Sequence, residues 1–70
     1  MHDIKLTKQP IELYKILKFS GLVASGGEAK AVIVDGQVSV NGVVETQKSK
    51  KIVAGDTITL GDETLNISVE

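Results

Sequence analysis

The sequence predicts an α+β fold in which two short helices pack on a small, mostly antiparallel sheet, in the order β-α-α-β-β-β-β, as one domain over residues 1–70. Three observations lead there. Apolar residues recur twice at helical spacing, as Leu13, Ile16 and Leu17 and again as Ala29, Val32 and Ile33. From Gln37 onward, apolar and polar residues instead alternate with a period of two, and the turn pairs Asn41-Gly42, Gly55-Asp56 and Gly61-Asp62 divide the second half into short segments. The chain's 70 residues leave room for one core only. Such a core supplies roughly 3–5 kcal/mol of net stability, so the local signals must agree with one another.

Taken in order, Asp3-Ile4-Lys5-Leu6 alternates as a half-buried opening strand does. Pro10 suits the first turn of a helix, where its missing N–H is not needed, so the first helix is predicted over about Pro10–Phe19, stopping at Ser20-Gly21. Ser25-Gly26-Gly27-Glu28 has the form of a capping box and opens the second helix, which Asp35-Gly36 ends. Only a few residues join the two, so they should pack as a helix-turn-helix-like pair. Val38 and Val40 alternate with Gln37 and Ser39, and Asn41-Gly42 favours a type I′ turn into Val43-Val44. The polar, basic connection Thr46–Lys51 leads to Ile52-Val53, then to strands at Thr57–Leu60 and Leu65–Val69; Leu65, Ile67 and Val69 share one face of the last.

Composition removes several functions. With no cysteine, disulfides and thiolate chemistry are excluded, which fits a reducing cytoplasm, the expected location. The opening MHDIKLTKQP has no long apolar run after a basic patch, and apolar stretches elsewhere reach four residues at most, so neither secretion nor membrane spanning is expected. His2, the single histidine, lies where a terminus should fray, so no histidine metal site or Cys/His pair is expected, and no cofactor. Asp56 and Asp62 each follow a glycine between strands and read as turn residues rather than a catalytic pair. The chain is not expected to be an enzyme.

Charge is distributed unevenly. The net charge is −1, yet residues 1–53 carry eight positive against five negative charges, whereas residues 54–70 carry four negative ones alone. All the basic residues are lysines, so contacts to an anion would be point-charge ammonium contacts rather than bidentate guanidinium ones. Tyr14 and Phe19 are the only aromatics, too few for a row of stacked bases. Lys15 and Lys18 lie on one flank of the first helix, opposite its apolar face, and Lys30 extends that stripe if the helices pack together. Lys48, Lys50 and Lys51 form the densest charge run, confined between strands. Solvated lysines are usually just solubilising, so the functional reading depends on convergence. Gly26-Gly27 lacks the lysine of a nucleotide-hydrolysing loop, but it opens a helix, where free N–H groups favour a phosphate. Easing the turn into that helix is the plainer role for the same pair.

The ordered set Leu13-Tyr14-Lys15-Ile16-Leu17, Ser25, Glu28-Ala29, Val32-Ile33, Gly36, Val38-Ser39-Val40-Asn41-Gly42 and Gly55-Asp56 resembles the αL RNA-binding motif, the domain named after the fourth protein of the small ribosomal subunit. Its core spans about residues 10–60. The run Ser25–Lys30 with a basic stretch after the hairpin is similar to the free-standing YbcJ-like bacterial members, which consist of the domain alone. The family commonly places arginine after the opening serine; Gly26 stands there here, so no phosphate-gripping side chain is implied at that position. The resemblance implies a non-catalytic binder of structured RNA, ribosomal or transfer RNA included; a monomer is expected. The expected surface comprises Lys15, Lys18, Ser25, Gly26, Gly27, Lys30, Gln37, Asn41, Lys48, Lys50 and Lys51. Lysines would neutralise phosphates, and Gln37 or Asn41 would reach sugar hydroxyls or base edges. The rival reading is a module that binds a ribosomal or assembly-factor protein through its acidic strand end or a valine edge.

Overall fold

The computed structural model describes residues 2–8 and 10–70; Met1 and Gln9, both within the expected domain, lie outside the described residues. The opening strand, β1 (His2–Leu6), pairs in parallel with the last strand of the chain. His2 stands opposite Leu65 in that pairing, so the expected fraying at this residue is corrected.

The first helix starts later than its proline suggested. Ile11–Glu12 forms a two-residue strand, β2, and α1 occupies Leu13–Ser20. β2 pairs antiparallel with β5 (Lys51–Ile52), with Glu12 opposite Lys51. The N–H groups of Leu13 and Tyr14 donate to the carbonyls of Lys50 and Lys48 at 2.9 and 3.3 Å. Backbone from the basic connection therefore satisfies donors that a helix start leaves open, and holds the preceding residues extended. Gly21 ends α1 at φ 81°, a left-handed conformation that costs glycine little.

α2 (Gly26–Val34) begins as expected, with the Ser25 hydroxyl accepting from the Glu28 N–H at 3.2 Å. The return arm of the capping box differs by one residue: Glu28 Oε1 accepts from the N–H of Ala24, at 3.0 Å. The main sheet contains β3 (Val38–Val40), β4 (Val43–Val44), β6 (Thr57–Leu60) and β7 (Glu63–Val69), in the spatial order β1-β7-β6-β3-β4. Every pairing in it is antiparallel except β1 with β7. Asn41 and Gly42 have φ of 53° and 84°, both positive as a type I′ hairpin requires. The observed order, β-β-α-α-β-β-β-β-β, thus adds the small β2–β5 sheet to the expected arrangement.

One apolar cluster joins these layers. Leu13, Ile16 and Leu17 of α1 and Ala29 and Ile33 of α2 meet Val38, Val40, Ile58, Leu65 and Ile67 of the sheet, with Leu6 and Ile52 closing the margins. The alternate residues Ser39, Thr57, Thr59, Thr64, Asn66 and Ser68 are half-buried on the other face. Among the described residues, no helix is long and apolar enough to cross a membrane.

Candidate nucleic-acid interface

The β2–β5 pairing and the bonds from α1 to the basic connection bring three separate stretches of chain to one place. Register puts Lys51 across from Glu12, and Lys15 follows Glu12 by one helical turn, its Nζ 3.1 Å from Glu12 Oε1. Lys30 enters from α2: its Nζ lies 4.7 Å from the centroid of the Tyr14 ring, which Lys15 also approaches, at 5.9 Å. Tyr14 is thereby a cation–π bridge between the helices, holding two ammonium groups on one side of the molecule.

Electrostatics reports the same convergence. The hydrogen bond from Lys15 holds the Glu12 carboxyl below the usual glutamate range; desolvation opposes it, and the charges of Lys15, Lys51 and Lys30 each add a smaller lowering. Lys15 is raised in turn, first by that hydrogen bond, then by the charges of Glu12 and Tyr14. At neutral pH the centre is a single carboxylate ringed by ammonium groups, with a positive surplus.

Lys48 and Lys50 belong to the same region through their carbonyls, which cap α1. Lys50 and Lys51 also border a shallow groove with Val40, Asn41, Val43 and Val53, where the carboxylates of Glu45 and Asp56 offset their charge. Lys18 continues the flank of Lys15 one turn further along α1 and is exposed. On α2, Gly26 and Gly27 precede Lys30 by four and three residues, which places the helix start on the flank of that lysine. The first bond of α2 runs from the Ala29 N–H to the Ser25 carbonyl, so the N–H groups of Gly26 and Gly27 come before it. A Cβ at Gly26 would meet nothing within 4 Å, and one at Gly27 only the Ser25 hydroxyl at 3.8 Å. Packing does not demand glycine at either position.

Two expected contacts are committed elsewhere. Gln37 lies beyond the far end of α2, where its Nε2 donates to Asp35 Oδ2 at 2.7 Å. Asn41 Nδ2 donates to Asp56 Oδ1 at 3.0 Å, and its Oδ1 accepts from the Thr57 N–H at 2.9 Å. Both side chains are exposed; both polar groups of Asn41 serve its turn, and Gln37 uses its Nε2 at the end of α2. Tyr14 and Glu12 are not among the residues expected at the surface. Nothing in their local pattern signals a role, because their partners Lys30 and Lys51 come from α2 and β5.

Comparison with known proteins settles the family. Residues 4–68 match the S4 domain. The chain belongs to the S4 domain family. It is 43% identical over 68 residues to YbcJ of Escherichia coli strain K12, covering 96% of this chain and 97% of that protein; YbcJ of Shigella flexneri matches to the same degree. The solution structure of E. coli YbcJ superimposes with a TM-score of 0.75 at 41% identity, covering 96% of this chain and 86% of that one; it is described as revealing an αL motif involved in RNA binding. In the S4 domain formed here, the resembling residues fall into two groups. Ser25 and Glu28 build a helix start beside Lys30, whereas Asn41 and Asp56 bind each other.

Proposed function

We propose that this S4 domain is a non-catalytic binder of structured RNA that contacts the phosphate backbone, with folded ribosomal and transfer RNA the first classes to test. The observation that carries the reading is the meeting of Lys15, Lys30 and Lys51 around Glu12 in a molecule of net charge −1. A protein built only for solubility gains nothing from gathering like charges, which repel one another; a polyanion accounts for the arrangement. Lys48 and Lys50 enlarge the patch, and the start of α2 supplies backbone donors beside Lys30. The name of the E. coli relative's solved motif supports the same ligand class.

The test is a titration with total cellular RNA at two salt concentrations, followed by sequencing of what is retained. With three to five phosphate contacts, the logarithmic salt slope should be about −2 to −4, since each contact releases roughly 0.7–0.9 of a counterion. Absent or salt-insensitive binding counts against RNA and favours the second reading, a protein partner at the edge strand β4. That reading rests on Val43 and Val44, which are 70% and 58% exposed.

Glu12 supplies an independent check. Glu12→Gln removes the one carboxylate at the centre of the patch, so RNA affinity should rise by roughly fivefold near 0.15 M salt, the value of about one phosphate contact. Because its folded pKa is depressed, the carboxylate favours the folded state above the ordinary glutamate pKa, and that contribution fades as pH falls through the depressed value. Thermal melts of Glu12→Gln and the parent should accordingly differ at neutral pH and converge in acid. Unchanged or weaker RNA binding would place the phosphates elsewhere.

A further inference from the structure

Phe19 presents a large apolar ring to water at 70% exposure, although the chain has only two aromatic residues and the other, Tyr14, is covered by Lys15 and Lys30. The ring does not stand alone. It forms a cleft of about 230 Å³ with Lys8, Pro10, Ile11, Glu12 and Lys15. Glu12, Lys15 and Phe19 follow one another at three and four residues, so they make a single stripe along α1 and the strand that enters it. The cleft is smaller than the roughly 300–1,000 Å³ of sites that enclose drug-sized ligands, which suits one planar ring system. Its walls are apolar, from Pro10, Ile11 and Phe19, and Lys8 and Lys15 bring two positive charges to it against the single carboxylate of Glu12, which Lys15 pairs.

We propose that this cleft takes one unpaired nucleobase of the bound RNA, stacked on Phe19, while Lys8 and Lys15 contact the flanking phosphates. The inference rests on the RNA reading above and deepens it: the preferred ligand is a folded RNA with an extruded nucleotide, not a continuous duplex. Charge argues for this occupant. An apolar ring bordered by ammonium groups matches a base carried on a polyanionic backbone, and a base stacked on an aromatic ring needs no hydrogen-bond partner from the protein. The position of the stripe argues for it as well, because Lys15 belongs both to this cleft and to the lysine group around Glu12. A duplex laid across the lysines would therefore meet Phe19 at its margin, where a bulged nucleotide can reach the ring.

The experiment uses two RNA hairpins with the same stem, one fully paired and one carrying a single bulged 2-aminopurine. The parent protein should bind the bulged hairpin more tightly and quench its fluorescence. Phe19→Leu should lose the quenching and about 5- to 150-fold in affinity for the bulged hairpin, the range of one base–aromatic stack, while binding the paired stem as the parent does. Phe19→Trp should retain both properties. Since Phe19 is exposed, these variants should keep the circular dichroism spectrum of the parent. Equal, salt-dependent affinity of the parent for the two hairpins without quenching overturns the stacking site and leaves backbone binding standing. Failure of the parent to bind either hairpin overturns both.

Discussion

A variant with Lys15, Lys30 and Lys51 all changed to glutamine is expected to bind structured RNA about 50- to 150-fold more weakly near 0.15 M salt, with a salt slope shallower by about 2 to 2.7. The three lysines come from α1, α2 and β5, and they act as one group only because the fold brings them to Glu12. Glutamine keeps most of each aliphatic stem, so packing along the helix surfaces is retained. The folding cost stays small: the exposed Lys30–Tyr14 contact contributes roughly 0.5–1 kcal/mol, and the Lys15–Glu12 ion pair is solvent-screened and adds little. Lys5 makes the control. It lies on β1 opposite Ser68, on the sheet face turned away from the buried residues Leu6 and Ile67, and Lys5→Gln should leave affinity unchanged. Filter binding at several salt concentrations, with melting curves for each variant, measures both effects. An equal loss from Lys5→Gln would mean that charge is read diffusely and that the convergence has no special role.

Which parts of this were legible in the sequence follows from how local each signal is. Ser25 with Glu28, Asn41 with Gly42, and the alternation of Val38 and Val40 all act over a few residues, so the α2 start, the hairpin and the inner face of the sheet were readable in advance. β2 was not. A two-residue strand has no period, and its partner lies some forty residues later, so Pro10 suggested a helix start that tertiary pairing overrides. The lysines were visible as residues, but their arrangement around Glu12 depends on Tyr14 reaching Lys30 across the helix pair. Asn41 shows the limit from the other side. Its turn role was written in Asn-Gly, whereas its bond to Asp56, fifteen residues away, is a contact that no local pattern encodes.

That bond carries the second large effect, on stability. Asn41 donates its side-chain amide to Asp56 and accepts from the Thr57 N–H, and its own N–H donates to the Thr57 carbonyl at 2.7 Å; the other Asp56 oxygen accepts from the Val53 N–H at 3.0 Å. Two turns, β3–β4 and the one before β6, are thus clamped together through three hydrogen bonds, and the fourth closes the second turn on itself. Asn41→Ala removes the two side-chain bonds, worth roughly 0.5–1.5 kcal/mol each, and leaves alanine at positive φ for about 1 kcal/mol more. A loss of about 2–4 kcal/mol is a large part of what a domain of this size holds and should lower Tm by roughly 10–25 °C. Asn41→Gly separates the causes: glycine tolerates the φ of 53°, so about 1 kcal/mol should return. In a double-mutant cycle, Asn41→Ala and Asp56→Ala should be less than additive, because each breaks the same bond. The cycle also decides what Asn41 does at the RNA surface. If its amide belongs to the clamp, Asn41→Gly below its melting temperature keeps the parent's affinity; a stable variant that had lost affinity would put the amide on the ligand instead.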